Sequence, residues 1–388
     1  MSESMVERMQ RKVKDLQKSM IENDVDVTLV MDRDSVYYFT GIHDYLGMDF
    51  GRPTIAIIPK EGEISVIIPS LELNMGREMT WVEKLLPWTD GIGDEWRGYV
   101  KDAVRGAKVV GLEVHRTHAV LGSFLAEQFP DVKIFDMYPI MCRQRMIKTP
   151  EEIAILRQAG EVAVAMCAAA RDAIKDGVPE HEIALAIING GTRKYAELLA
   201  KDLSGVNAYY SPVTHDLPIM QTGPNMHMVH KRASVKGMNK GDSMYMCFCN
   251  LAEFKQMKVG FDRQYFLGSC TKEEEKVYYQ ALEGQKIALD MIRPGVKASD
   301  VHKASAQYYA DQGYGICYRT GRSVGYSRLE KPELRVDDDT ILQEGMTFAV
   351  DGAVSLDSGV AGRVGDSIVV TKDGFEYLTV MDKSLQVL

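Results

Sequence analysis

The chain has 388 residues, of which 45% are hydrophobic and 26% charged, and its formal net charge is −9. A chain of this length exceeds one ordinary hydrophobic core, so two domains are expected. The negative charge argues against nucleic acid and against an anionic membrane surface as partners, and no unbroken apolar run approaches the roughly 18–20 residues of a membrane span. The six cysteines show no Cys-x-x-Cys spacing and the charged N-terminal stretch has no signal-peptide core, which predicts free thiols and a cytoplasmic location.

The first 145 residues alternate predicted helices with predicted strands. Apolar residues recur at spacings of three and four from Val6 to Met20, which indicates an amphipathic opening helix. Strands are predicted over 25–31, 54–59, 64–69, 109–113 and 132–135, with a helix near 117–128. A Lys-Glu-Gly turn joins the second and third strands into a predicted hairpin. This alternation predicts an α/β domain over residues 1–145.

A strong helix start marks the beginning of the second half. Thr149 is a predicted N-cap, with Pro150 at the first helical position and acidic residues in the first turn. Further helices are predicted over 179–199, 272–292 and 298–312, and the sequence after Gly315 is typical of strands and turns. Residues 146–388 are therefore expected to form a second domain that combines helices with a mostly antiparallel sheet.

The stretch from Gln221 to Gly268 contains the most suggestive chemistry. Two short apolar runs with turn residues between them predict neighbouring strands. His230 precedes these runs and Asp262 follows the turn between them, so the two side chains could meet at one end of the sheet. A histidine beside a carboxylate is the minimum equipment for proton transfer near neutral pH. The sequence therefore predicts His230 and Asp262 as catalytic residues.

Several motifs in combination indicate a family. They are Phe-Gly-Arg-Pro at 50–53, Arg-Met-Ile-Lys at 145–148, the whole stretch 221–242, Gly-Arg-Ser-Val-Gly at 321–325 and Glu-Leu-Arg at 333–335. On these motifs the chain resembles the creatinase family of the prolidase and methionine-aminopeptidase superfamily, from about residue 8 onwards. The resemblance implies an α/β N-terminal domain followed by a pita-bread domain, which is a curved, mostly antiparallel sheet flanked by helices.

Most members of that superfamily bind two divalent metals with two aspartates, a histidine and two glutamates. The resemblance aligns these five positions with Cys247, Gly260, Arg322, Asp351 and Gly365. One carboxylate remains, whereas two hard cations need several oxygen ligands and an arginine among them would repel the ions. We therefore expect no metal ion and no other cofactor.

The resemblance also implies roles for individual residues. Water would be activated by a histidine that aligns with His230, and two arginines that align with Arg52 and Arg335 would hold a substrate carboxylate. Arg52 would come from the partner subunit of a homodimer, because the N-terminal domain of one subunit caps the neighbouring site. Asp262 would hold the cationic part of the substrate, with side-chain pairing to Arg263 as its structural alternative.

The remaining candidates are substrate-binding positions with open alternatives. Phe50 and Tyr326 are expected to add aromatic surface for a cationic substrate. Arg322 either binds an anion or pairs with Asp351, and Cys247 is either a nucleophile or a small core residue. For Arg335, the acidic residues at 337–339 offer a local salt bridge instead.

The resemblance implies a metal-independent hydrolase that cleaves a C–N bond in a small carboxylate-bearing substrate. Creatine, which gives sarcosine and urea, is the leading candidate. Three departures favour a related osmolyte, as in ectoine hydrolase: Asp262 is one methylene shorter than the family glutamate, no carboxylate stands at Val364, and Arg322 replaces a histidine. A metal-dependent Xaa-Pro dipeptidase is disfavoured by the lost ligands, and a non-catalytic binding module that kept the fold is the last alternative.

Overall fold

The computed structural model describes residues 3–89, 95–213, 218–249 and 251–388. The chain divides into two compact units, Met1–Gln144 with Leu203–Ser211 and Arg145–Asp202 with Pro212–Leu388. The sequence predicts a change of domain after residue 145, and it gives no indication that Leu203–Ser211 belongs with the first unit.

The first unit is built on a six-stranded mixed sheet. The helices of this part of the chain are α1 Met5–Glu22, α2 Arg33–Thr40, α3 Leu73–Met79, α4 Glu95–Val104, α5 Ala119–Gln128 and α6 Tyr138–Met146. The strands are β1 Val27–Val30, β2 Ile55–Pro59, β3 Ser65–Pro69, β4 Lys84–Trp88, β5 Val109–Leu112 and β6 Lys133–Asp136. Their order is β4-β3-β2-β1-β5-β6, in which β1–β2 and β2–β3 are antiparallel and the other pairs are parallel.

Local sequence explains how this unit starts. Ser4 caps α1 and forms a reciprocal capping box with Glu7, and the helix buries its predicted apolar face, including Leu16 and Met20. The predicted hairpin is present as the antiparallel pair of β2 and β3. Both strands bury nearly every residue in the core of the unit, so this unit is the α/β domain that the pattern predicts.

The second unit contains a curved antiparallel sheet with helices packed against it. The helices are α7 Pro150–Ala173, α8 Glu180–Leu199, α9 Lys272–Met291 and α10 Ala298–Asp311. The strands are β7 Ile219–Thr222, β8 Ser243–Cys247, β9 Glu253–Phe254, β10 Met257–Lys258, β11 Asp262–Phe266, β12 Arg319–Ser323, β13 Glu330–Arg335, β14 Thr347–Ser355, β15 Ala361–Val370 and β16 Phe375–Tyr377. The sheet order is β13-β12-β14-β15-β11-β8-β7, with β16 paired to β15, while β9 and β10 form a separate hairpin.

Helix α7 begins where the sequence predicts. Thr149 accepts a hydrogen bond from the Glu152 amide and completes a capping box with it, and Pro150 occupies the first turn. By length and composition alone this helix could cross a membrane, since its most apolar 18-residue window has a mean hydropathy of 1.5. In the structure α7 packs against α8 and the β9–β10 hairpin and buries its small residues, among them Ala159 and Ala163. A helix in the core of a globular protein also meets these criteria of length and composition, so they do not by themselves indicate a membrane span.

Two glycines let α9 approach the central strands β14 and β15. A Cβ atom at Gly352 would lie 2.1 Å from the Ala281 carbonyl oxygen, and one at Gly362 would lie 2.5 Å from the Val277 carbonyl oxygen. Backbone atoms cannot yield at such distances, so only glycine allows this contact. The helix thereby fixes the two strands that carry Asp351 and Arg363.

Candidate functional site

Strand pairing brings three predicted site residues side by side. Asp262 begins β11, where it is paired with Cys247 at the end of β8 and with Gly365 in β15. Gly365 is in turn paired with Asp351 in β14. Residues that face each other across neighbouring strands share one face of the sheet. The register therefore places Asp351, Gly365, Asp262 and Cys247 in one row across four neighbouring strands.

These residues line a cavity of about 490 Å³ in the second unit. Five of the predicted site residues contribute to its wall: His230, Cys247, Asp262, Arg322 and Asp351. A volume of this size lies in the range of small-molecule pockets. The structure thus brings the proposed proton-transfer residues and the altered metal-ligand positions into one site.

The Asp262 carboxylate is held by neutral donors. The Tyr245 hydroxyl donates to Oδ2 at 2.8 Å and the Cys249 thiol to Oδ1 at 3.7 Å. Arg263 instead bonds to the Asp366 carboxylate at 2.8 Å and to the Asp262 carbonyl oxygen. Side-chain pairing of Asp262 with Arg263 is therefore not formed, and the carboxylate has no ion-pair partner among the residues that the structure describes.

Arg322 and Asp351 form the charge pair that the sequence left open. Nη1 of Arg322 lies 3.4 Å from Oδ2 of Asp351, and Nε of Arg322 donates to the Arg328 carbonyl oxygen at 2.9 Å. Burial, together with the negative charge of Asp262, raises the pKa of Asp351 to about 6, although the arginine charge opposes this rise. The pair contributes two opposite charges to the cavity wall.

The residues present do not fit a two-metal centre. A Cβ atom at Gly260 would lie 3.2 Å from Nη2 of Arg322 and 3.5 Å from Sγ of Cys249, and one at Gly365 would lie 2.8 Å from Oδ1 of Asp351. These aligned positions therefore converge on one volume, and a guanidinium projects into it. Two hard cations require oxygen ligands and tolerate no fixed positive charge among them.

The two cysteines near Asp262 form a separate donor set. One ligand atom each from Cys247, Cys249 and Asp262 lies within 4.8 Å of the others. Two sulfur atoms and one carboxylate suit a single zinc-like ion rather than two oxygen-seeking cations. The hydrogen bond with Cys249 and burial raise the pKa of the Cys247 thiol well above its usual value. A thiol held in its protonated form is a poor nucleophile, which favours the structural interpretation of Cys247.

His230 lies in an exposed turn that follows β7 and contributes to the cavity wall. The buried Glu180 carboxylate at the start of α8 fixes this turn on both sides. It accepts hydrogen bonds from Lys231 at 2.6 Å, from Thr222 at 2.8 Å and from the amide and hydroxyl of Ser234 at 2.8 and 2.6 Å. Burial alone would raise the pKa of Glu180, but these hydrogen bonds lower it below its usual value.

Two predicted residues of the second unit lie outside this cavity. Tyr326 is 5% exposed and donates to the Glu152 carboxylate at 2.6 Å, so its predicted role in the pocket wall is corrected to a buried structural one. Arg335 forms a two-pronged pair with Asp337 at 3.0 Å for both bonds and lines an adjacent cavity of about 540 Å³. The local salt bridge is therefore the arrangement that Arg335 adopts.

The other two predicted residues belong to the first unit. Phe50 ends a short 3-10 helix, Gly47–Phe50, and is 64% exposed. Arg52 follows it and is half-buried. Their contribution to the site of a partner subunit stays a prediction.

Residues that the sequence interpretation missed also line the cavity, notably Tyr245, Arg319 and Arg363. Strand periodicity could have found two of them. Tyr245 stands two residues before Cys247 in β8, and Arg363 stands two residues before Gly365 in β15. Alternate residues of a strand share a face. Arg319 is the first residue of β12, where alternation gives no such indication.

Comparison with known families is consistent with this architecture. Metallopeptidase family M24 matches residues 154–372, and the creatinase/prolidase N-terminal domain matches residues 12–147. The chain therefore belongs to family M24, a family of hydrolases with the pita-bread fold, and carries the creatinase-type N-terminal domain.

Full-length relatives with several activities resemble the chain. It is 26% identical to the agropine synthesis cyclase of Rhizobium rhizogenes, with 96% of both chains covered. It is 25% identical to the Xaa-Pro dipeptidase of Pyrococcus furiosus, with 97% of this chain and 100% of the relative covered. It is 24% identical to the creatinase of Bacillus sp. strain B-0618, with 96% and 90% covered.

Solved structures share the fold at low identity. The prolidase of Thermococcus sibiricus superposes with a TM-score of 0.85 at 22% identity, over 98% of this chain and 99% of the other. The Xaa-Pro dipeptidase of Bacillus anthracis superposes with a TM-score of 0.82 at 21% identity, over 98% and 100%. These likenesses establish the two-domain fold and leave the reaction to the residues of the site.

Proposed function

We propose that this protein is a metal-independent hydrolase of the creatinase type, which cleaves a C–N bond in a small molecule that bears a carboxylate. One observation carries the proposal. The Arg322–Asp351 pair, at 3.4 Å, fills the volume on which the family's metal-ligand positions converge, in the same cavity as His230 and Asp262. Water activation then falls to side chains, and a histidine is the side chain suited to it near neutral pH.

In the proposed reaction His230 acts as base and then as acid. It takes a proton from water while the water oxygen attacks the amidine or amide carbon of the substrate. As the C–N bond breaks, the same imidazole returns the proton to the leaving nitrogen. Asp262, oriented by the hydroxyl of Tyr245, stabilises positive charge on the substrate nitrogens.

Creatine is the leading named substrate, with sarcosine and urea as products. The likeness to a creatinase over nearly the whole chain supports it. The cavity also suits a related osmolyte such as ectoine, because Asp262 reaches less far than a glutamate and Arg322 adds a positive charge to the wall. Both substrates use the same histidine-centred reaction.

An Xaa-Pro dipeptidase is the second candidate, favoured by several full-length relatives of that name. Such a function requires this chain to bind metal with Cys247, Cys249, Asp262 and Asp351. Asp351 is paired with Arg322, and the two thiols suit a different kind of ion. Because these side chains are poorly suited to two hard metal ions, the dipeptidase is the second candidate.

The proposal keeps the expected cytoplasmic location and the two-fold homodimer. In that dimer, Arg52 and Phe50 of one subunit contribute to the cavity of the other. Phe50 is 64% exposed, so its side chain is accessible to a partner subunit.

The test is turnover by protein that has been freed of metal with EDTA. Release of urea and sarcosine from creatine would be measured, with ectoine, guanidinoacetate and Gly-Pro assayed in parallel. Turnover of creatine or ectoine without metal is the expected result. Activity on Gly-Pro alone, and only after metal is added, would overturn the proposal in favour of the dipeptidase.

A further inference from the structure

Arg363 is an arginine of the cavity wall that none of the predicted roles uses. It belongs to β15, opposite Ala353 of β14, and is half-buried. Its guanidinium lies 5.3 Å from the ring centroid of Tyr245, the residue whose hydroxyl holds Asp262. Arg363 and the Asp262 carboxylate are thus both neighbours of the Tyr245 side chain.

The donors of Arg363 are only partly satisfied. Nη2 donates to the Ser355 hydroxyl at 3.2 Å, while Nε is buried and has no hydrogen-bond partner among the described residues. Within that part of the chain Arg363 also forms no ion pair. Nε is closed off from the cavity, so an oxyanion bound there would accept charge-assisted hydrogen bonds from the terminal nitrogens of the guanidinium.

Other arginines of the wall are already committed to carboxylates. Arg319 pairs with Glu333 at 2.9 Å, and Arg322 pairs with Asp351. Arg335, to which the resemblance assigns the substrate carboxylate, pairs with Asp337. Arg363 is therefore better placed than these three to bind an anion that enters the cavity.

The balance of charge in the wall favours an anionic ligand. Four arginines line the cavity, namely Arg319, Arg322, Arg328 and Arg363, against two aspartates, Asp262 and Asp351. Counting Glu333, the partner of Arg319, as a third negative charge, the wall carries an excess of one positive charge when its histidines are neutral. A concave site with low-dielectric walls concentrates this potential on a bound ligand.

We propose that Arg363 binds the substrate's carboxylate, so that the cavity takes small N-substituted amino acids with the carboxylate at Arg363 and the C–N bond near Asp262 and His230. This assignment rests on the proposed function for its reaction but replaces Arg335 as the carboxylate anchor within the second unit. Arg363 sets the orientation of the ligand and takes no part in proton transfer.

The test compares two ligands that differ only in charge, N-acetylglycine and N-acetylglycinamide. Their dissociation constants would be measured by calorimetry for the wild type, for Arg363→Gln and for the control Arg293→Gln, which removes an exposed arginine outside the cavity lining. The wild type and the control are expected to prefer the acid. Arg363→Gln is expected to weaken binding of the acid about ten- to a hundredfold and to leave the amide unchanged.

Two results would overturn the assignment: equal losses for acid and amide in Arg363→Gln, or no preference for the acid in the wild type. If Arg363→Gln does not fold, Arg363→Lys serves for the same test, because lysine keeps the positive charge but lacks the planar guanidinium. A smaller loss of affinity, confined to N-acetylglycine, is then expected. Binding of the acid without turnover of any substrate would remove the hydrolase proposal alone. If the wild type hydrolyses a substrate but Arg363→Gln binds N-acetylglycine with unchanged affinity, only the role of Arg363 as the carboxylate anchor is contradicted.

Discussion

The exchange of a metal-ligand histidine for Arg322 changes what the cavity can do. A bound metal supplies positive charge and also lowers the pKa of its water. The guanidinium of Arg322, paired with Asp351 at 3.4 Å, supplies fixed positive charge and cannot bind water as a ligand. In the proposed reaction, proton removal from water is therefore assigned to another group, His230 in the same wall.

Replacing His230 by alanine separates an enzyme from a binding module. We predict that His230→Ala lowers kcat for the best substrate about 10²–10⁴-fold, because the general base is lost. The affinity for N-acetylglycine, which needs no proton transfer, should change little. Steady-state kinetics and calorimetry on one preparation would check both quantities.

His227→Ala is the matched control, because His227 is exposed three residues earlier and lies outside the cavity lining. It should keep nearly full activity. Equal rates for the wild type and His230→Ala would remove His230 from the mechanism.

The raised pKa of Asp351 predicts pH-dependent binding. This carboxyl titrates with a pKa of about 6, so it is ionised above that pH and neutral below it. Protonation removes one negative charge from the wall and leaves the charge of Arg322 unmatched. The dissociation constant of N-acetylglycine should therefore fall as the pH is lowered through 6.

Asp351→Asn tests the source of this dependence. The other charged or titratable side chains that the wall contains include His230, Asp262, His302, Arg319, Arg322, Arg328 and Arg363. Burial lowers the pKa of His302, so it gains its proton at lower pH than an ordinary histidine. A pH profile that is equally steep in the wild type and in Asp351→Asn would assign the effect to the histidines and contradict the prediction.

Individual site residues could be predicted only where a motif fixed them. His230 and Arg322 lie in matched segments, Asp262 and Asp351 were found by the alignment that the resemblance implies, and the fold brings all four to one cavity. Tyr326 lies equally close to a motif, yet its hydroxyl is used by Glu152. Whether a side chain faces a cavity or a buried partner depends on packing between distant segments, which the local sequence does not contain.

At the scale of elements, helix α8 and the turn that carries His230 depend on Glu180. We predict that Glu180→Ala lowers the free energy of unfolding by about 3 kcal/mol, because it leaves Lys231 and the Ser234 amide without their buried acceptor. Activity should fall as well, since the His230 turn loses its anchor. Chemical denaturation followed by circular dichroism would measure the stability.

The pH dependence of this stability has a definite sign. The folded-state pKa of Glu180 lies below its usual value of 4.5, so its contribution is fully present above pH 4.5 and is lost as the pH falls through the lower, folded-state pKa. The difference between the wild type and Glu180→Ala should therefore shrink in acid. Glu182→Ala, an exposed change in the same helical turn, should cost no more than about 0.5 kcal/mol. A pH-independent difference would contradict this account.

Long helices were the most predictable elements. Helices α1, α7, α8, α9 and α10 occur close to their predicted ranges, because apolar periodicity acts locally. Helix α2, Arg33–Thr40, was not predicted as a helix: its Tyr-Tyr-Phe run is typical of a strand, and all its residues from Ser35 onward are buried. The local indications were its Asp32 cap, which accepts from the Ser35 amide at 3.2 Å, and Gly41, which ends the helix in the left-handed conformation.

At the scale of the molecule, the proposed dimer makes a mixing test possible. If Arg52 completes the site of the partner subunit, a dimer of one Arg52→Gln and one His230→Ala subunit has one site with both residues intact. We predict that co-expression of the two inactive variants restores about a quarter of wild-type activity, because half of the random dimers are mixed and each has one working site. Differently tagged subunits purified in tandem would isolate the mixed dimer for assay.

The two variants expressed separately and mixed without subunit exchange are the control. Restoration in the co-expressed sample alone supports a shared site. No restoration in a verified mixed dimer would contradict the contribution of Arg52 from a partner.

The order of the two domains along the chain could be predicted, but the return of one segment to the first unit could not. Alternating elements followed by a helix-and-strand half indicate an α/β unit and then the antiparallel sheet of the second unit. The segment Leu203–Ser211 nevertheless belongs with the first unit. Contacts between residues far apart in sequence decide this, for example the hydrogen bond of 2.9 Å between the hydroxyls of Tyr210 and Tyr37, and no periodicity reports them.

The most direct test of the central claim is the rate of C–N hydrolysis as a function of bound metal. Protein freed of metal, with its residual content measured by elemental analysis, would be assayed on its best substrate before and after addition of Mn²⁺, Co²⁺ or Zn²⁺. We predict full activity in the metal-free sample and no increase on addition. Activity that is absent without metal and rises until two ions are bound per subunit would contradict the account.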